Sequence, residues 1–336
     1  MRDMSNTELA PDEIICAPDE DGPEIKVLQP RAVPLGGLRA MTVRRTLPQR
    51  HHSLIGPWCF VDHYGPDNVA ETGGMRVNRH PHTGLATVSW LFSGAIDHLD
   101  SLGTSARVVP GEANIMIAGG GITHSEFSTA DTTVLHGAQL WFALPDQHRH
   151  MAPEFHHYVP KPVASDGSQL RVFAGRVNDT AAQLQLPVEL IGAELVVEAH
   201  ASFTLTLMRG HEYGLLLDTG TLGVGPDMIA ADQLVFLGED EDQDRCVELV
   251  AGAEPVRLLI LGGRPFGERI VMWWNFIGRD HDEIVAYRAR YQAEIGAEGA
   301  APADGEEVFG PFPPGEPPAL PAPVMPSVRL RSRGND

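Results

Sequence analysis

Short runs of β-branched and aromatic residues, each closed by Gly, Pro, Asn or Asp, recur along most of this chain. They include "TVSWLF", "SARVV", "NIMIA" and "AQLWFAL", then "QLRVFAG", "ELVVEA", "SFTLTLMRG", "YGLLLDTG", "QLVFLG" and "VRLLILGG". Such punctuation suits short strands joined by turns. In "SFTLTLM", Phe203, Leu205 and Leu207 alternate with Thr204 and Thr206, the period of a half-buried strand. With 35 glycines and 27 prolines, the expected fold class is all-β, a barrel or sandwich and not βαβ units. A chain of 336 residues exceeds one usual domain, and the two sets of runs predict two similar halves.

Residues 1–25 are acidic and polar without apolar periodicity, and a poorly ordered leader is expected there. The first half is expected over residues 26–155 and the second over 165–296, with a linker in the His- and Pro-containing stretch around 150–168. "HDEIVAYRARYQAEIG", residues 281–296, is the one strong helix signal. It carries Ile284, Tyr287 and Tyr291 near helical spacing and Asp282 and Glu283 in the first turn, and should pack on a barrel wall. Residues 297–336 are too rich in proline for a helix and are expected to run extended along the surface.

The net charge of −20 opposes direct contact with nucleic acid or an anionic membrane. No apolar run reaches the roughly 18 residues of a membrane span, and the start lacks the order of a signal peptide, so a cytoplasmic address is expected. Cys16, Cys59 and Cys246 are widely separated and suggest neither a disulfide framework nor a zinc ribbon. Cys59 reads as a small core residue.

Two short patterns carry chemistry. In "NRHPHTGLATVSW" the strand period puts His80 and His82 on one face, and in "PGEANIMIAGGGITHSEF" it does the same for His124 and Glu126. Two antiparallel strands can bring the four together. Three imidazoles and a carboxylate suit iron, manganese, cobalt, nickel, copper or zinc and leave coordination positions open if the metal is octahedral. The run "AGGGITH" has no Lys-Ser/Thr after it and so is not a phosphate loop; its glycines would let backbone pass close to the metal strand. His148, His150, His156 and His157 fall in the expected linker, and "GEDEDQD" reads as a solvated hairpin tip. No nucleophile elbow is visible.

With "VRRTLP", "GPWCFVDHYGP", "HPHTGLATVSWLFSG", "PGEANIMIAGGGITHSEF" and "GAQLWFALP" in this order, the chain resembles the pirin family of the cupin superfamily. The resemblance runs from about residue 27 to 150, then more loosely to the end. It implies two cupin (jelly-roll) β-barrels in tandem, with one metal in the first barrel held by His80, His82, His124 and Glu126. Iron(II) is the first expectation among the metals, with manganese, nickel, copper or zinc as alternatives.

The resemblance also implies an activity, a dioxygenase of quercetinase type that opens a flavonol such as quercetin. Glu126 would be its catalytic base, and Trp90 and Phe127 would wall the substrate pocket. The alternative it implies is a metal- or redox-sensing interaction protein with a protein partner, either a transcription regulator or a metabolic enzyme. Two departures stand out. Ala86 occupies a position where many family members carry glutamate, which would alter pocket polarity, and "GERIVMWWNFIGRD" is more aromatic than expected. The second half has no H-x-H strand, and His211 reads as a turn residue, so that barrel is expected to be metal-free. Fused barrels already bury the face that single cupins use to dimerise, so a monomer is expected.

Overall fold

The computed structural model describes residues 14–16, 25–35, 41–49, 52–297 and 307–332. The turn-punctuated runs become strands, and the chain is mostly β, with two helices among the described residues. Each half is a jelly-roll barrel in which a seven-stranded sheet faces a four-stranded one.

In the first barrel the large sheet runs in the order Glu154–Tyr158, Ala113–Ile117, Leu85–Ser93, Val134–Ala143, Trp58–Asn68, Met41–Leu47 and Arg31–Leu35. Its small sheet is Arg76–His82, Ile122–Ser128, Ile96–Asp100 and Ser105–Val108. The second barrel repeats the plan, with a large sheet built around Ile191–Val197, Val256–Gly263 and Glu212–Thr219. All pairings between strands within these barrels are antiparallel, as jelly rolls require.

Three local expectations are modified by long-range pairing. Ile14–Cys16, inside the expected leader, pairs with Ile270–Met272, while the other residues before Ile25 lie outside the described residues. Ile25–Leu28 pairs with Leu234–Leu237, so this early segment extends the sheet of the second barrel. Glu154–Tyr158, within the expected linker, adds an edge strand beside Ala113–Ile117.

The barrels meet through their large sheets. Ala86, Val88, Trp90 and Phe92 project from one face of Leu85–Ser93 into a core shared with Phe173, Leu216, Phe236 and Leu259 of the second half. Trp90 stacks on Phe173 with centroids 4.8 Å apart, and Trp58 Nε1 donates to Ile191 O at 2.9 Å. Apolar burial of this size joins the halves far more firmly than scattered polar contacts could. Replacing Trp90 by alanine is therefore expected to lower stability by about 3–5 kcal/mol while leaving metal content unchanged. Chemical denaturation beside metal analysis checks both parts.

The aromatic surplus of "MWWNF" is explained by what lies on it. Asp280 caps the helix His281–Glu294, accepting from Glu283 N at 3.0 Å. Ile284 and Tyr291 of that helix pack with Trp273, Trp274 and Phe276. The described part of the proline-rich tail closes the same cluster, burying Phe309, Ala322 and Leu330. Tail and metal-site strands also share hydrogen bonds. Arg79 Nη2 donates to Gly310 O at 2.7 Å, Thr123 Oγ1 to Phe309 O at 2.9 Å and Leu320 N to Arg79 O at 2.7 Å.

Candidate metal centre

In the small sheet of the first barrel, His124 pairs with His80 on one side and with Asp100 on the other. Ile122 pairs with His82, and Glu126 with His98. Side chains directly opposite on neighbouring strands share a face, so His80, His82, His124, Glu126, His98 and Asp100 all project from one side of the sheet. The register between the first two strands shifts between His124 and Glu126, an irregularity of the kind that re-aims side chains near functional sites.

His80, His82 and His124 form one buried group whose ligand atoms lie within 4.8 Å of one another. Their ring centroids are 4.9, 4.3 and 5.0 Å apart for the pairs 80/82, 80/124 and 82/124. His82 Nε2 and His124 Nε2 are separated by 3.1 Å. Two nitrogens each about 2.1 Å from one ion at right angles stand about 3 Å apart, so the donor set fits a transition metal. His80 Nδ1 lies 2.8 Å from Asn78 O; a hydrogen donated there leaves Nε2 as the ligand atom.

Glu126 belongs to a second group, His98, His124 and Glu126, which shares His124 with the first. The carboxylate thus stands beside the imidazole triad, on the flank where His98 also stands. Its Oε1 is 2.8 Å from Ser89 Oγ, which is 3.0 Å from Gln139 Oε1.

His98 and Asp100 were not singled out by the sequence reading, although "HLD" repeats the same alternate-residue pattern. His98 Nε2 lies 3.1 Å from Asp100 Oδ2, and His98 Nδ1 lies 3.3 Å from His124 Nδ1. With Asp100 accepting from His98 and His98 accepting from His124, the Nε2 of His124 keeps its lone pair for a metal. Outer carboxylates of this kind fix ligand tautomers.

Burial dominates the electrostatics. It pushes the His80 imidazole down to about 4, and it pushes His82 and His124 well below the usual histidine range, with neighbouring imidazoles adding to the effect on both. It raises the Glu126 carboxyl above its ordinary value, against the opposing influence of His98 and Ser89. The sign follows for the protein stripped of metal. His80 binds its proton near 6.5 when unfolded and only near 4 when folded, so stability is fully present above 6.5 and falls as pH drops toward 4. His80 alone accounts for about 3 kcal/mol of this loss. Urea midpoints of the stripped protein should fall steeply between pH 6.5 and 4.5; a flat profile would contradict the burial argument.

Two expected pocket residues are corrected. Trp90 faces the core between the barrels, because alternation along its strand puts Ser89, not Trp90, toward Glu126. Phe127 follows Glu126 and so takes the opposite face, where it is half-buried with the Arg76 guanidinium 5.9 Å from its ring centroid. The aromatics that meet the imidazoles are Trp141, 5.1 Å from the His82 centroid, and Phe155, 4.7 Å from that of His98. Ala86 also packs in the inter-barrel core, so its lack of a carboxylate does not change the polarity of the centre.

The glycine run approaches the loop at Met151 and the tail at Val308, and not the metal strand as expected. A Cβ on Gly119, at φ +52°, would stand 2.0 Å from Met151 O, and one on Gly121 would stand 2.4 Å from Val308 Cγ1. His211 lies in the turn after Gly210, its Nδ1 3.0 Å from Arg209 O. His156 and His157 alternate on an edge strand, beside Glu154 and Asn114 respectively.

Two jelly-roll barrels joined through their large sheets, with a His-rich group in the first that can hold a metal, define a bicupin. The chain belongs to the pirin family: the pirin profile matches residues 40–142, and that of the pirin C-terminal cupin domain matches residues 192–295. A Pseudomonas aeruginosa protein provisionally named a quercetin 2,3-dioxygenase is 38% identical over 329 residues, covering 96% of this chain and 98% of its own. A pirin-like protein of Caulobacter vibrioides is 32% identical over 263 residues, 75% of this chain and 88% of its own. The crystal structure of a quercetin 2,3-dioxygenase from Acinetobacter baumannii superposes with a TM-score of 0.80 at 32% identity, covering 91% of this chain and 98% of that one. The Escherichia coli pirin YhhW, crystallised with nickel(II), shares the fold at a TM-score of 0.56 and 16% identity, covering 72% of this chain and all of that one. Among the described residues no helix is long and apolar enough to cross a membrane.

Proposed function

We propose that this protein is a metal-dependent dioxygenase that opens the ring of a flavonol of the quercetin type. The observation that carries this reading is the convergence of His80, His82 and His124 with the buried carboxyl of Glu126 on the flank of the triad. The relatives provisionally or formally named quercetin 2,3-dioxygenases support the choice of substrate.

His80, His82 and His124 would hold the metal, with Glu126 as a fourth ligand, and iron(II) is the ion we assign. When bound, it supplies a Lewis-acid centre with open positions for substrate oxygen and O2. The protein's own part is proton handling and positioning. Burial makes Glu126 a stronger base than an exposed carboxylate, suited to removing the flavonol hydroxyl proton. Ser89 donates to its carboxyl and is itself flanked by Gln139. His98 and Asp100 keep His124 in the tautomer that presents Nε2.

The test is to strip the protein, reload it separately with iron(II), manganese, nickel and copper, and follow quercetin absorbance and oxygen uptake beside a His124→Ala control. Metal-dependent loss of the flavonol band, absent in the control, is the expected result. Full loading without turnover by any of these metals would refute the assignment of substrate.

A further inference from the structure

A second convergence of buried donors lies where the barrels meet, away from the His80–His82–His124 group. His63 comes from Trp58–Asn68 and His136 from Val134–Ala143, both in the large sheet of the first barrel; Asp218 comes from Glu212–Thr219 in the second. Asp218 Oδ1 stands 2.8 Å from His63 Nε2 and 2.6 Å from His136 Nε2, and the two nitrogens are 3.3 Å apart. All three side chains are buried. Three donors from two domains thus point at one spot.

The backbone is shaped to aim them. The pairing of Val134–Ala143 slips on both of its sides around His136, and that of Glu212–Thr219 slips around Asp218. The first centre shows the same device between His124 and Glu126, and such irregularities are over-represented beside functional sites.

A third observation concerns protons. His63 has a carboxylate on each ring nitrogen: Asp218 on Nε2 and, at 3.2 Å, Asp232 on Nδ1. A neutral imidazole carries one hydrogen and cannot donate to both. If Nδ1–H goes to Asp232, the Nε2 lone pair faces Asp218 Oδ1, an arrangement that either a second ring proton or a cation between them would complete. An outer carboxylate on Nδ1 is the usual companion of a metal-bound histidine. The remaining oxygen of Asp218 accepts from Arg257 Nε at 2.6 Å, and Asp232 is paired with Arg44 Nε at 2.8 Å. Arg44 Nη2 also approaches His63 Nδ1, at 3.4 Å.

We propose that His63, His136 and Asp218 form a second site, for a divalent first-row transition metal, that clamps the two barrels together. Two imidazoles and a carboxylate suit iron(II), cobalt(II) or zinc. The nearby Arg44 and Arg257 guanidiniums repel a cation, so this site fills after the imidazole triad of the first barrel.

Equilibrium dialysis of the full chain against cobalt(II) tests this. Wild type should bind two equivalents, filled in sequence. Asp218→Asn and the milder His136→Gln should each bind one, the retained equivalent reporting an intact fold, and a His80→Ala/His82→Ala double variant should keep one. Saturation of wild type at one equivalent that vanishes in the double variant would show a protonated imidazole bridging two carboxylates and would overturn the proposal. Two equivalents retained in Asp218→Asn would overturn it as well, by placing the second ion elsewhere. Because the arms address separate residues, failure here is distinguishable from failure of the first centre.

Discussion

His124→Ala should remove essentially all metal from the first barrel, and with it any turnover that depends on that metal. This side chain is the only one shared by both donor groups there, His80/His82/His124 and His98/His124/Glu126. Without it the first group falls to two imidazoles and the second to an imidazole and a carboxylate. Loss of outer partners alone typically weakens metal binding by about 10–100-fold, and loss of a ligand that also joins the groups should exceed that. Glu126→Gln should be milder for binding, because the three imidazoles stay in place, but should be severe for proton transfer. Competition with a chromogenic chelator gives both affinities. Equal affinity of wild type and His124→Ala would contradict the geometry.

Phe309→Ala should lower stability by about 3–5 kcal/mol, the range for emptying a buried aromatic site. Phe309 is fully buried against Phe276 and Tyr291, with ring centroids 6.2 and 5.3 Å away. Its backbone oxygen accepts from Thr123, the residue before His124, and its amide donates to Glu294 Oε2 at 2.8 Å. The tail therefore braces the back of the strand that carries His124. Thermal melts of the stripped and loaded protein should both shift down, and a surface residue of the same tail such as Val324 should be indifferent to alanine. An unchanged melting temperature for Phe309→Ala would mean that the tail is dispensable.

The imidazole triad was legible because it depends on two local facts. Alternate residues of a strand share a face, and antiparallel neighbours bring two such pairs together. His98 and Asp100 obey the same rule but were passed over, since "IDHLD" is too polar to read as a strand until its neighbours bury it. Trp90 was misplaced for a related reason. Inside this barrel the polar face, Thr87 and Ser89, points to the centre, and the apolar face points to the other barrel. The two-barrel architecture followed from turn spacing and the family motifs.

Long-range placement was not legible. Nothing local to "IKVL" shows that it joins a sheet more than 200 residues away, and nothing local to "PFPPGEPPALPAP" shows that its flanks bury Phe309 and Leu330. Asp218 looks like any strand-end carboxylate until His63 and His136 are set against it from the other barrel.

Crystals grown with iron(II), with anomalous differences collected at the iron edge, test the central claim most directly. The expected result is a peak in the first barrel within bonding distance of His80, His82 and His124, with Glu126 completing the set. Density confined elsewhere, or a peak bound by fewer than three of these imidazoles, would contradict it.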